Sequence, residues 1–521
     1  MQTTQRRRLF LSLYLSGMIV ASIGMLGCDQ GCDVDATCIP PGWSGPIAAD
    51  DCPADPADGP VRLECGIWVS TSLGGGDLSG TQDAPVQTLA KALELAQIGP
   101  KRVYACGETF AEAVKLPSGV SLYGGFDCVN RWTYSGMAKR ASIISPPGSV
   151  ALTMMEGDAP SFVADVNVRS ADAVQPGGSS IAVLVQDKTT GWLRRADVVA
   201  GDGADGQDGD DDAHGVDPPT DGLPGNNGAD ACTANPGFGG QTVTLLCPDG
   251  GASTGGAGGD SGELVATDGS DGLPSPGLNA PFGLGGDAET AALTCTPGLG
   301  GQQGIGGADG VPMLVATRRT ITKEGLVLGG DGGDGAPGQP GQGGGGGGAS
   351  FGKVAVCGAS PPGGAGGGSG GTGGCGGRGG RGGQTGGSSI GLAVRGTGVR
   401  FQQLRISSST GGHGGRGGPS QPGGQGGLPG AGGQGVGGMG GVQSGCGGGI
   451  GGNGGNGGNG AGGRGGDSVA VATVGFTMSS NGEKADLHYG APGLGGLGGD
   501  PSTPEQNALP GTGASGLMFD P

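Results

Sequence analysis

SSIAVLVQDKTTGWLRRADVVAGDGADGQDG, residues 179–209, holds two short apolar runs, 181–185 and 192–200, followed by glycine at every third position: Gly203, Gly206 and Gly209. The order returns in residues 388–417, SSIGLAVRGTGVRFQQLRISSSTGGHGGRG, where runs 390–394 and 399–406 precede Gly411, Gly414 and Gly417. A third copy opens at Asp467 with DSVAVATV, passes Phe476 and ends in Gly490, Gly493, Gly496 and Gly499. A looser fourth joins 313–316 and 326–328 to Gly332, Gly335, Gly338 and Gly341. The unit is strand, strand, glycine triplets. Repetition of a unit too small to bury its own apolar face predicts an extended, stacked architecture. It names no reaction.

Glycine supplies 134 of the 521 residues and aromatics only 4%. Trp43, Trp68, Trp132 and Trp192, with four of the five tyrosines, precede residue 193, so the material for an ordinary core is concentrated early. The formal charge is −19; without Arg6, Arg7 and Arg8, 24 basic residues stand against 46 acidic ones, about −22. A surface this acidic repels nucleic acid, which needs clustered Lys and Arg, and keeps an exposed protein soluble.

The beginning of the chain reads as an export signal, residues 1–28. Arg6, Arg7 and Arg8 form a positive region and residues 9–26, LFLSLYLSGMIVASIGML, an apolar one. Met25-Leu26-Gly27-Cys28 then resembles a bacterial lipobox, which implies lipidation of Cys28 and a membrane anchored through it. An uncleaved anchor, an ordinary signal peptide and a twin-arginine signal (Arg7-Arg8) are the alternatives. Asp29 resembles an inner-membrane retention signal; outer membrane or cell surface is the expected location. Residues 29–64, rich in Pro, Asp, Gly and Cys, read as a linker. With Cys28 lipidated, twelve cysteines remain, and an even number in an exported chain predicts disulfides. Cys32, Cys38, Cys52, Cys65, Cys106 and Cys128 form an early set; Cys232, Cys247, Cys295, Cys357, Cys375 and Cys446 a late one. Pairing within each set is the economical expectation.

From Cys65 the chain becomes orderly. Strands are expected at 67–69, 103–106, 120–123, 142–144, 151–154 and 165–168, ahead of the pair at 181–200. A helix is expected over 88–97, with Leu89, Ala92, Leu93 and Ala96 at helical spacing. Stacked in parallel, strands this brief would bury one continuous core. IWVSTSLGGGDLSGTQDAPVQTLAKALELAQIG followed by VYACGETFAEAVKLPSGVSLYGGFD resembles the opening of a bacterial right-handed parallel β-helix family of pectin-lyase-like fold. The matching residues are Pro85, Thr88, Leu89, Ala92, Leu93, Gly107, Thr109, Phe110 and Glu112. The resemblance covers about residues 65–200. It implies a mainly β fold, a right-handed parallel β-helix whose short N-terminal helix caps the open end of the coil, and it carries over no catalytic residue.

Residues 201–521 are expected to be glycine-rich tracts interleaved with further strand pairs. GGNGGNGGNGAGGRGGD, residues 451–467, and GGCGGRGGRGGQ, residues 373–384, keep the three-residue phase. A left-handed extended helix has three residues per turn and no internal hydrogen bonds. A bare glycine face lets such segments approach and bond to one another. The pattern resembles the polyglycine-II bundles of some antifreeze proteins and phage adhesins, and the tracts look like those of PE-PGRS proteins without the PE domain. Disordered linker is the alternative.

Glycine this dense manufactures motifs. Gly251-Ala252-Ser253-Thr254-Gly255 and Gly387-Ser388-Ser389-Ile390-Gly391 fit GxSxG, but neither has a strand–elbow–helix context. His214, His413 and His488 sit in polar or glycine-rich settings, and Arg378 and Arg381 lack interleaved aromatics. The acidic cluster Asp202, Asp205, Asp208, Asp210, Asp211 and Asp212 is a candidate calcium site, the alternative being a solvated loop. No other cofactor is expected. The expected function is a non-catalytic surface lipoprotein with a structural, adhesive or matrix role, contacting glycans or other surface proteins. A carbohydrate-active β-helix enzyme (lyase or hydrolase) and a disordered calcium-responsive coat are the competing readings.

Overall fold

Runs of three to seven residues rich in Val, Leu, Ile and Ala are long enough to pair but not to fold alone. In the computed structural model, which describes residues 52–75, 79–209, 219–275, 281–312, 319–396, 398–437, 440–475, 485–500, 502 and 504–519, they build three parallel sheets in a mainly β chain. Sheet A contains Ile67–Val69, Arg102–Cys106, Ser121–Asp127, Ser161–Ala164, Thr190–Arg194 and Gly398–Gln402, with Thr133–Tyr134 added antiparallel. Sheet B contains Thr109–Phe110, Ala141–Ile144, Val166–Arg169, Asp197–Val199, Arg405–Ser407 and Asp486–His488. Sheet C contains Val114–Leu116, Leu152–Met154, Ser180–Val185, Ser389–Val394, Ser468–Val474 and Gly513–Phe519. Neighbours in each sheet follow chain order, so from Arg102 to Val474 the chain visits A, B and C in rotation. Inward residues stack in rows: Val114 beside Leu152, then Val183, Leu392 and Val471. One apolar cluster therefore runs from Val69 to Val471.

The runs 192–200 and 399–406 each form two strands rather than one. Arg195 and Gln403, at φ +50° and +51°, turn the chain from sheet A into sheet B, as Asp165 does at +57°. A left-handed conformation costs such residues about 1–2 kcal/mol each. Stacking offsets it: the Asp165 amide donates to the Arg194 carbonyl and the Arg195 amide to that of Gln402. Arg195 also donates to both Asp165 oxygens, at 2.9 and 2.8 Å, and to those of buried Asp55 at 2.9 and 2.8 Å.

Helix α1, Leu89–Ile98, buries Leu89, Ala92, Leu93 and Ala96 against the first strands. Thr88 caps it by accepting from the Lys91 amide, and Glu112 accepts from the Leu89 and Ala90 amides at 2.9 and 3.0 Å. Thr88 and Glu112 thus meet at one helix terminus, where the macrodipole favours a carboxylate. On the outer face of sheet A, Trp68 lies 4.9 Å from Tyr104 and 5.1 Å from Trp132. Residues 52–64, the end of the stretch read as a linker, cover this cluster together with Cys65. A Cys52–Cys65 disulfide holds them, Tyr123 Oη donates to the Ala54 carbonyl at 2.6 Å, and Trp68 Nε1 to that of Leu63 at 3.0 Å.

The looser fourth copy is not a further turn of the stack. Residues 313–316 and Phe476 lie outside the described residues, and Val327–Leu328 pairs antiparallel with Thr320–Ile321. That hairpin covers the outer face of sheet C, where fully buried Ile321 joins Ile181, Ile390 and Val469. Sequence reading also passes over Ser161–Ala164, Gly513–Phe519 and the antiparallel pair Val243–Leu246 with Ala252–Gly255.

Glycine-rich inserts leave the stack after Val199, Ser407 and His488, and return at Ser389, Ser468 and Gly513, always at the corner from sheet B to sheet C. They bond to one another every third residue. The amides of Gly332, Gly335, Gly338 and Gly341 donate to the carbonyls of Gly383, Gly380, Gly377 and Gly374, so these tracts are antiparallel. Those of Gly374, Gly377 and Gly380 donate to Gly452, Gly455 and Gly458, so those run parallel. The three-residue phase of the sequence is the phase of the hydrogen bonds.

Candidate functional site

The exit corner is built by serines that begin the strands of sheet C. Ser180, Ser389 and Ser468 lie side by side in register. Ser180 Oγ donates to the Ala171 carbonyl at 2.8 Å and accepts from the Gly201 amide at 3.0 Å. Ser389 Oγ donates to Gly201 at 2.7 Å and accepts from Ser409 at 2.8 Å; Ser468 Oγ donates to Ser409 at 2.5 Å and accepts from Gly490 at 2.8 Å. Ser389 and Ser468 each tie the exits of two successive inserts, and Ser180 ties the first exit to the loop before it, so the tracts leave aligned. Ser389, one of the two GxSxG serines, is spent in this ladder. Ser253, the other, is buried, accepts from the Gly373 amide at 2.7 Å and joins two tracts.

Beyond the corner, Asp-Gly pairs grip the next tract. The Gly203 amide donates to the Thr410 carbonyl at 2.8 Å, and the Thr410 amide donates to Asp202 Oδ1 at 2.8 Å. Gly206 and Asp205 hold both backbone groups of His413 in the same way, and Gly209 and Asp208 those of Arg416. Asp221, Asn227 and Asp230 repeat the clasp on Gln425, Ala431 and Gln434. Asp202, Asp205 and Asp208 are therefore spread one per turn along a tract edge, each on its own amide. Asp210, Asp211, Asp212 and Cys28 lie outside the described residues. The signal for these clasps was in the sequence as Asp or Asn before glycine in the triplet phase, with Ala231 in place of glycine after Asp230.

Inside the bundle there is no room for side chains. A Cβ on Gly345, Gly346, Gly347 or Gly348 would lie 1.9, 1.8, 2.1 and 1.9 Å from a carbonyl oxygen of Leu284, Ala257, Cys446 and Asp287 respectively. Four consecutive residues of a three-residue turn face backbone, so this tract is enclosed on every side. In residues 451–459 only two positions in three are enclosed, and Asn453, Asn456 and Asn459 use the third to accept from Gly426, Gly423 and Ser420. Disulfides Cys232–Cys357, Cys247–Cys375 and Cys295–Cys446 cross the bundle. The late set thus pairs within itself, and in the early set Cys52–Cys65 and Cys106–Cys128 form while Cys32 and Cys38 lie outside the described residues.

No family model, curated protein or solved structure matches this chain.

His413 Nδ1 accepts from the Leu494 amide at 2.9 Å, and exposed His488 faces Asp486 at 2.8 Å; His214 lies outside the described residues. Arg378 and Arg381 are exposed. Cys106, Glu108 and Cys128 come together, but a disulfide holds the sulfurs. Burial pushes Glu108 toward its neutral form, and the hydroxyls of Ser72, Thr71 and Ser70 with the Ser72 amide outweigh it, holding the carboxyl below the usual range. Its Oε2 accepts from the Thr71 amide at 2.7 Å and hydroxyl at 2.8 Å, and from Ser70 Oγ at 3.0 Å, fixing the turn after the first strand.

Proposed function

We propose that this is an exported, lipid-anchored protein with a non-catalytic structural or adhesive role. Its strand stack is read as a right-handed parallel β-helix of the pectin-lyase-like kind, and its lobe as a polyglycine-II-like bundle. Rotation of the chain through three parallel sheets supports the first, with the right hand following from the chirality of parallel crossovers. Bonds at every third residue support the second.

One observation carries the functional reading: the lobe is held in register, the serine ladder fixing its tracts to the stack and the clasps and disulfides fixing the tracts to one another. A rigid plate of this kind holds polar side chains at regular intervals along its edges, which suits weak, multivalent contact with glycans or neighbouring surface proteins. The export signal and Cys28 would place it at the cell surface, with outer membrane favoured.

Three measurements test this. Labelled palmitate is expected in the wild type and not in Cys28→Ala. Purified protein is expected to be retained on cell-envelope material or a glycan matrix. Neutral and acidic polysaccharides, with and without calcium, are expected to yield neither unsaturated products nor new reducing ends. Sustained product release would replace this reading with the enzyme.

A further inference from the structure

The glycine tracts end in turns that are not glycine-rich. Along the pair 332–350 and 365–383, Gly332 bonds to Gly383 near the stack and Ser350 to Ala365 at the far end. At about 3.1 Å per residue, those eighteen residues carry the far turns some 55 Å out. There the exposed large apolar residues include Leu264, Leu293 and Val265, at 83, 70 and 65% exposure. They wall a groove of about 700 Å³, with half-buried Phe351 in its lining.

These side chains stand on fixed backbone. The Gly262 amide donates to the Val265 carbonyl at 2.7 Å, and the Thr290 amide to that of Leu293 at 2.8 Å. The Phe351 amide donates to Glu289 Oε2 at 2.8 Å, joining one wall to the floor, and Cys295–Cys446 anchors the second turn to the bundle. Recognition residues are commonly held this way, on loops set by a rigid scaffold, and a contiguous exposed apolar patch on a soluble protein marks an interaction surface. The rim is charged with one sign. Asp268, Asp287 and Glu289 line the groove and no Lys or Arg does among the described residues. Exposed Asp287 has no carboxylate partner among them.

The geometry points to a docking groove at the tip of the lobe for a partner protein's segment that carries apolar side chains together with Lys or Arg. Apolar walls take the first and the acidic rim takes the second, while the same rim repels anionic lipid and anionic glycan. This deepens the adhesive reading and rests on it: besides the polar edges of the bundle, its tip offers a contact for a protein partner.

The test uses the full mature chain and three labelled ten-residue peptides, alternating Leu–Lys, Leu–Glu and Ser–Lys. The Leu–Lys peptide is expected to bind best, and Leu264→Ser/Val265→Ser/Leu293→Ser to weaken it about tenfold or more with an unchanged melting curve. Asp287→Lys, which leaves the apolar walls alone, is expected to weaken Leu–Lys and strengthen Leu–Glu. Equal binding of all three peptides, or no loss in either variant, overturns the proposal. So does a wild-type dimer dispersed by the triple variant, or binding to phosphatidylcholine vesicles that the triple variant loses. Retention of wild type and triple variant alike on envelope material would fail the groove and leave the adhesive role standing; no retention of either, with peptide binding intact, would do the reverse.

Discussion

At the residue scale, the acidic side chains act mainly as acceptors for backbone amides. Asp202, Asp205 and Asp208 each need an oxygen lone pair at one amide, and Asn supplies that without charge. Replacing all three by Asn is therefore expected to change stability little, whereas Ala is expected to cost about 1 kcal/mol per site. Chemical denaturation measures both. A calcium-dependent rise in Tm present in the wild type and absent in the Asn variant would assign the carboxylates to an ion instead. Glu108 is different, because its charge matters. Its folded pKa is lowered, so its contribution is present above the unfolded value of about 4.3 and is lost as pH falls through the folded one. Glu108→Gln is expected to flatten the acid side of the Tm profile; an equal fall in Tm from pH 7 to pH 3 in both proteins would refute this.

At the element scale, the tracts owe their existence to the absence of side chains. A Cβ on Gly457 would lie 2.0 Å from the Arg378 carbonyl oxygen, so Gly457→Val forces two tracts apart. Amides of Gly454, Gly455, Gly457 and Gly458, each bonded to another tract, are expected to exchange slowly in the wild type and to lose that protection in the variant. Free-chain exchange in the wild type would mean an unbundled tract. Much of this was legible in advance. Strand islands such as 181–185 and 390–394, the 88–97 helix and the triplet phase follow from patterning that burial enforces. Turning points were not: nothing about Arg195 or Gln403 announces a left-handed conformation, because stacking on the neighbouring turn selects it. Val327–Leu328 was misread for a related reason, since two apolar residues pair with whatever strand lies nearest. The Asp-Gly clasp was visible as a pattern, but its purpose depends on a tract some two hundred residues away.

At the scale of the whole molecule, the stack is continued by strands far apart in sequence. Ser180 pairs with Ser389, and every strand of the stack up to Val199 finds its earlier neighbours before residue 200. Closing so long a loop costs little extra free energy, because the penalty grows only with the logarithm of length, but non-local pairing slows folding. Refolding followed by stopped-flow fluorescence of the early tryptophans and by circular dichroism is expected to show the early strands forming before the full β signal. Simultaneous recovery of both signals would refute that order. The exit of the first insert after Val199 therefore has a temporal side. At roughly 5–20 residues per second of synthesis, about 10–40 s separate Val199 from Ser389, and for that interval the Ser180–Val185 strand presents an open sheet edge. An edge open for that time is a template for pairing with another chain, and the length of the glycine insert sets how long the exposure lasts.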